Sequence, residues 1–306
     1  MPSPLDREGL IPMGNNDTDL TGKRIVITGA TNGIGKEIAR ALIRRGANLT
    51  LVARNESKAA ATAEELHREQ GATSVPDIVT GDLADLASVR RAGEEIRTRY
   101  PSIDVLINNA GIHALFSRTT VDGFESMAAT NHLGPFLLTN LLLDQLIAAA
   151  PSRIVITASE AHRNGGRPDL DHFAEPRTFG PVGSFRSYGQ SKLLNILFTQ
   201  ELARRLDGTG VTVNCFCPGA NATGLISDAR LFAVPMKALA RTRIIRRPEV
   251  GARAGIDLTI DPKLETTTGQ FVTSTPGLNL LPPVAIRRDT DYQERLWLRS
   301  AELVGL

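Results

Sequence analysis

The chain has 306 residues, 42% hydrophobic, 22% charged and only 5% aromatic, and its 35 basic and 33 acidic side chains leave a net charge of +2. That is enough material for one large α/β core in a single domain. The charges are scattered, with no basic block and no aromatic platform for stacking bases, so nucleic acid is not an expected partner. No apolar run reaches the roughly 18 residues of a membrane span, and Met1 to Leu20 lacks the charged-then-apolar order of a signal peptide. A loosely ordered leader over 1–20 and a folded domain over 21–306 are expected. Cys215 and Cys217 lie on an expected strand; they are read as pointing to opposite faces, unable to join, and so as buried free thiols suited to a reducing, cytoplasmic setting.

In chain order, Lys23 to Thr28 is an apolar, β-branched run, followed by a glycine-rich turn and by Ile34, Ile38, Leu42 and Ile43 at helical spacing. Strand and helix then alternate: Asn48 to Ala53, Ser57 to Gln70, Asp77 to Thr80, Leu86 to Arg99, Ile103 to Ile107. Parallel neighbours need a crossover, so this alternation predicts a doubly wound parallel sheet with helices on both faces. A long helix is expected over Phe124 to Ala149, interrupted at Gly134-Pro135. After the strand Arg153 to Thr157 comes an irregular stretch, Glu160 to Gly183, and then a helix from Ser187 to Leu206. Val211 to Cys217 is a strand, 224–247 a basic and partly apolar lid, Glu249 to Ile260 a helix, Gln270 to Thr273 a last strand and Asp289 to Leu303 a peripheral helix.

Chemistry concentrates in a few places. Thr28 to Gly35 reads Thr-Gly-Ala-Thr-Asn-Gly-Ile-Gly. Glycines there let backbone approach a pyrophosphate, while the next helix offers unpaired N–H groups and a positive dipole end. Tyr188 and Lys192 are one helical turn apart on one face, which sets a cation beside a phenol. At neutral pH a phenol with an ordinary pKa near ~10 exchanges protons readily only where a cation and a dry site stabilise its phenolate. His67, His113, His132, His162 and His172 show no metal-ligand spacing, so no metal site is expected.

Taken together with Asn108-Asn109-Ala110-Gly111 and with Pro218-Gly219 before Thr223, these motifs resemble the short-chain dehydrogenase/reductase family over about Leu20 to Thr275. The resemblance implies a Rossmann fold and a catalytic tetrad of Asn131, Ser159, Tyr188 and Lys192; Ser152 and Thr157 are nearby rivals for the serine. It implies cofactor contacts from Gly29, Thr31, Asn32, Gly33, Ile34, Gly35, Arg54, Asp82, Leu83, Asn109, Ala110, Gly111, Tyr188, Lys192, Pro218, Gly219 and Thr223. In the implied reaction Ser159 binds the substrate oxygen and Tyr188 supplies a proton to it. Lys192 holds the ribose and lowers the Tyr188 pKa, and Asn131 places a relay water.

Arg54, with no carboxylate beside it at the end of the second strand, favours NADP(H) over NAD(H), and Lys36 is placed to assist. Asn-His-Leu-Gly at 131–134 and Ser-Glu-Ala-His at 159–162 are similar to the retinol dehydrogenase-like branch. The interval from Ser159 to Tyr188 is long, which implies an enlarged loop over the substrate pocket. The expected substrate is a small-molecule carbonyl or alcohol, bulky and lipophilic or polycyclic. The family often assembles as homodimers or homotetramers through the long helix and the Tyr188 helix. The alternatives are an NADP(H)-sensing regulator without turnover, which an intact tetrad argues against, and an extended epimerase or dehydratase, which the glycine spacing argues against.

Overall fold

A computed structural model describes residues 18–219, 247–274 and 281–306. Thr223, residues 1–17 of the expected leader and all of the expected lid except Arg247 lie outside the described residues. Seven parallel strands form one sheet in the order β3-β2-β1-β4-β5-β6-β7. They are β1 Arg24–Thr28, β2 Asn48–Ala53, β3 Asp77–Thr80, β4 Val105–Asn108, β5 Ser152–Thr157, β6 Val211–Cys217 and β7 Phe271–Thr273. Strand order reverses between β1 and β4, which pair in parallel with Val26 opposite Leu106. In sheets of this kind ligands bind outside the carboxyl ends of the strands at such a reversal.

Alternation along each strand divides the core in two. Ile25, Ile27, Leu49, Leu51, Val155 and Phe216 face α1 (Gly33–Ile43), α2 (Glu56–His67) and α8 (Pro248–Ile260). Val26, Val52, Leu106, Ile154 and Ile156 face α3 (Leu86–Arg99), α5 (Gly134–Leu141) and α7 (Pro181–Arg205). Both cysteines are free and both lie in this second cluster. The reading that they oppose each other is corrected: residues two apart on a strand share a face, and it is Phe216, between them, that points the other way.

The expected long helix is divided. One turn, α4 (Ser126–Ala128), passes into a π turn over Ala129–Leu133, then α5, then α6 (Leu143–Ala148). The interruption begins before Gly134-Pro135, because Gly134 donates its N–H to Ala129, five residues back. Gly134 itself presses on Leu83, whose carbonyl oxygen would lie 2.4 Å from any added Cβ.

Two further expectations change. α7 starts at Pro181, with proline at its first position and Gly180 as the cap. The stretch before it does not arch wholly over the site. It makes a 3-10 turn at Glu160–Asn164 and then runs beside the C-terminal helix α9 (Thr290–Val304). There the Tyr292 hydroxyl donates to the Pro168 carbonyl and Arg167 pairs with Asp289.

Nor is α9 peripheral. Tyr292, Leu296 and Val304 belong to the main core, and Trp297 packs on Phe136 of α5 and Phe198 of α7. Leu296→Ala is therefore expected to lower unfolding stability by about 2–5 kcal/mol, the cost of emptying a buried leucine site. Urea-midpoint measurements check this; a loss under about 0.5 kcal/mol would return α9 to the periphery.

Candidate active site

The carboxyl ends of β1, β4 and β5 are tied by one side chain. The Asn109 amide nitrogen donates to the carbonyls of Thr28 (3.1 Å) and Gly29 (3.2 Å), and its oxygen accepts from the Thr157 hydroxyl (3.3 Å). The main-chain N–H groups of Asn109 and Ala110 both reach the Thr28 hydroxyl at 3.0 Å. The glycine turn rests on this knot. Gly29 takes φ +70°, and a Cβ there would lie 2.8 Å from the Ala110 Cα; a Cβ on Gly35 would lie 2.2 Å from the Asn109 amide nitrogen.

Gly33 has φ +55°, a left-handed conformation that favours glycine. Asn32 caps α1 by accepting from Gly33 at 2.8 Å. The N–H groups of Ile34 and Gly35 then have no intrahelical partner and face a prospective phosphate, beside the half-exposed Thr31. Asn109 is thus a holder of the cofactor turn, and its amide is already committed to protein.

The other expected contacts lie along the same edge. Arg54 follows β2, exposed and without a hydrogen-bond or ion-pair partner among the described residues, while Asn55 beside it caps α2 through Lys58. Lys36 pairs with Glu65 of α2. Asp82 accepts from the Ala84 N–H through one carboxylate oxygen, at 2.9 Å, and Leu83 turns its side chain into the core. Pro218 and Gly219 follow β6.

Around this edge the tetrad comes together. Ser159 caps the 3-10 turn: its Oγ accepts from Ala161 at 3.1 Å, which leaves the hydroxyl proton free to donate, and the hydroxyl lies near enough to the Tyr188 phenol to oppose the rise in its pKa. Of its rivals, Ser152 donates to the Leu146 carbonyl at the far end of β5 and Thr157 to Asn109. Lys192, 2% exposed, donates to the Thr157 carbonyl at 3.0 Å and lies 5.7 Å from the Tyr188 ring centre. An ammonium has three donors; a buried one with a single hydrogen-bond partner among the described residues fits the hydroxyls of a bound ribose.

Burial pushes the Lys192 pKa down to about 8 and the Tyr188 pKa up, so the phenol keeps its proton. The expected lowering of the Tyr188 pKa by Lys192 is not seen here: removal of the phenol from water is the largest effect on it, and the shift is upward. Asn131 is fully used: Oδ1 accepts from the Ile112 N–H (2.8 Å), while Nδ2 donates to the Ile112 carbonyl (3.0 Å) and to the Ser191 hydroxyl (2.9 Å). Any water it places must be held by its main-chain carbonyl, whose α-helical donor would come from residue 135, a proline without an N–H. Gly111 closes against both: a Cβ there would stand 3.1 Å from Asn131 Oδ1 and 3.3 Å from Lys192 Nζ.

The sequence matches the family model for short chain dehydrogenase over residues 23–168. It is 38% identical to human retinol dehydrogenase 13 over 292 residues, covering 94% of this chain and 86% of that one. The chain belongs to the short-chain dehydrogenase family. Among solved structures, an uncharacterized protein from Mycobacterium paratuberculosis superposes with a TM-score of 0.73 at 34% identity, covering 94% of this chain and 95% of that one. A short-chain dehydrogenase from Shigella flexneri, complexed with NADP, superposes with a TM-score of 0.66 at 25% identity, covering 85% and 100%. This dehydrogenase is a retinol dehydrogenase-like oxidoreductase that binds NAD(P) and acts on a CH–OH or C=O group of a small molecule. Neither these relatives nor the assembled tetrad supports the regulator alternative.

Two site residues escaped the sequence reading of this dehydrogenase. The Cys217 sulfur accepts the N–H of Glu160 (3.2 Å) and of Gly219 (3.3 Å), joining the loop after Ser159 to the Pro218-Gly219 loop. Burial holds it as a thiol. His113 lies against Tyr188, its ring centre 4.8 Å away. The Asn-Asn-Ala-Gly motif just before His113 was a positional signal; metal spacing was the wrong test for it.

Buried histidines also set a pH limit on the fold. Burial pulls the His132 pKa down to about 3 and the His162 pKa down to about 4. Below the unfolded value near ~6.5 the unfolded chain takes up protons that the folded chain refuses. Unfolding stability should therefore be flat in this respect above about pH 6.5 and should fall with decreasing pH below it, by up to about 1.4 kcal/mol per pH unit for each histidine. His162→Phe should reduce that slope between about pH 6 and pH 4, measured by denaturant midpoints across the range; an unchanged slope would exclude His162 as a source.

Proposed function

We propose that the protein is an NADP(H)-preferring reductase of ketones or aldehydes, and oxidant of the corresponding secondary or primary alcohols, for lipophilic or polycyclic substrates. The observation that carries the reading is the meeting of a Ser159 hydroxyl whose proton is unclaimed with a Tyr188 phenol kept protonated by burial. In reduction, Ser159 donates to the substrate oxygen as negative charge develops there, and Tyr188 gives its proton to the same oxygen. The nicotinamide, when bound, supplies the hydride. Lys192 supports the phenolate that remains, and the Asn131 carbonyl anchors the path for reprotonation. Oxidation follows the same path backwards.

The preference for a phosphorylated cofactor rests on Arg54, an exposed guanidinium at the end of β2 whose fork suits a 2′-phosphate. An apolar substrate is supported by the exposed Phe116, Val182 and Phe185, with Phe179 packed beside Tyr188. Free thiols at Cys215 and Cys217 fit a reducing, cytoplasmic setting. Every residue of α7 from Ser187 to Ala203 is buried within one chain, so a homodimer or homotetramer would assemble on other surfaces.

Two measurements test the reading. Tyr188→Phe should lower NADPH-dependent turnover of a panel of ketones and aldehydes by about 10²-fold or more while NADPH still binds; turnover that survives would sink the role of Tyr188. Arg54→Asp should lower kcat/KM for NADPH relative to NADH by about 10–100-fold, the equivalent of one charged hydrogen bond; an unchanged ratio would remove Arg54 from cofactor choice.

A further inference from the structure

The segment Gly111–His113 touches three members of the tetrad in succession. Gly111 lies against Lys192 and Asn131, and Ile112 exchanges both its main-chain groups with Asn131. His113 then meets Tyr188 almost face to face, with ring centres 4.8 Å apart and planes inclined by 19°. Two further contacts of its ring come from the same helix. Nε2 is 3.0 Å from the Ser184 hydroxyl, one turn before Tyr188, and the Phe185 ring abuts it edge-on at 4.9 Å.

The tautomer follows from the donors available. The Ser184 hydroxyl gives its proton to the Pro181 carbonyl at 2.6 Å, so Nε2 must carry the hydrogen and donate to Ser184. His113 is 5% exposed, and burial, with no charged group among the described residues acting on it, lowers its pKa and keeps it neutral. The imidazole is therefore pinned at its edge by Ser184 and offers a flat, uncharged face to the phenol.

We propose that His113 is a positioning residue for Tyr188: its ring, anchored by Ser184, fixes the plane of the phenol and thereby the direction in which its hydroxyl points. This inference rests on the oxidoreductase reading for its kinetic consequence, though the clamp itself does not. A phenol can rotate about two side-chain torsions, and a misplacement of about 1 Å at a reacting group costs about 10²-fold in rate. Without the stacked ring, one face of the Tyr188 side chain loses its packing partner. The proton donor then samples orientations away from the substrate oxygen.

The test compares His113→Ala, His113→Phe and Ser184→Ala in the full chain. Steady-state kinetics use the ketone and aldehyde panel, NADPH affinity is read by fluorescence titration, and Tyr188 is followed by NMR on ring-labelled tyrosine, with Tyr188→Phe identifying its signal. His113→Ala should lower kcat by about 10–100-fold with NADPH affinity held within about 2-fold. His113→Phe keeps an aromatic face and should recover kcat to within about 3-fold of the parent, and Ser184→Ala should fall between them. The Tyr188 ring signals should show a ring-current displacement in the parent and in His113→Phe that His113→Ala abolishes.

Parent-like kcat in His113→Ala overturns the proposal, as does a His113→Phe protein that folds but is as slow as His113→Ala, or a parent lacking the ring-current displacement. If His113→Ala does not fold, the other two variants and the parent's NMR signal decide it. A parent protein with no turnover but with the displacement would defeat the oxidoreductase reading and leave the clamp standing.

Discussion

The active edge of the sheet depends on the side chain of Asn109. Parallel strands end with carbonyls and N–H groups that nothing in the ladder satisfies, and at β1, β4 and β5 those ends converge where a ligand must approach. One amide closes much of that deficit, donating to Thr28 and Gly29 and accepting from Thr157. Because Asn109 also lies directly beneath Gly35, its position sets how closely α1 can approach the sheet. The phosphate turn, the start of α1 and the strand that leads to Ser159 thus share a single reference point.

From that point the site is built by backbone more than by side-chain charge. Asn131 gives its amide to Ile112 and Ser191, and Lys192 gives one N–H to the Thr157 carbonyl. Cys217 takes two N–H groups from loops on either side of the reaction centre. The result is a site in which Lys192 is the one buried ammonium among the described residues and the phenol, removed from water, retains its proton. Dryness favours the acid form of tyrosine, and it also strengthens whatever charge the cofactor introduces.

Much of this was legible because it is local. Asn48 to Ala53, Asp77 to Thr80, Leu86 to Arg99 and Val211 to Cys217 match the structure residue for residue, since period and breaker residues write strand and helix directly into a short window. The motifs at 28–35, 108–111 and 188–192 place the site for the same reason. What was not legible depends on partners far away in sequence. Tyr292 meets Pro168 across 124 positions, so nothing near Glu160 announces that the following stretch will run under α9. The π turn at Asn131 leads into a close approach of Gly134 to Leu83, and the contact of His113 with Tyr188 joins a loop to a helix that spacing alone cannot bring together. The error over Cys215 and Cys217 was of another kind: the strand was found, and its period misapplied.

The covering of α7 by α9 has a consequence for how the enzyme responds to dilution. A catalytic helix whose outer face is completed by a second subunit is ordered by mass action and loosens as protein concentration falls. Here Trp297 lies on Phe198 and Phe136, Arg204 reaches Gln293, and His132, beside Asn131, reaches Ser300, all within one chain. These contacts on the helix that presents Tyr188 and Lys192 are intramolecular, so their effective concentration does not change when the protein is diluted.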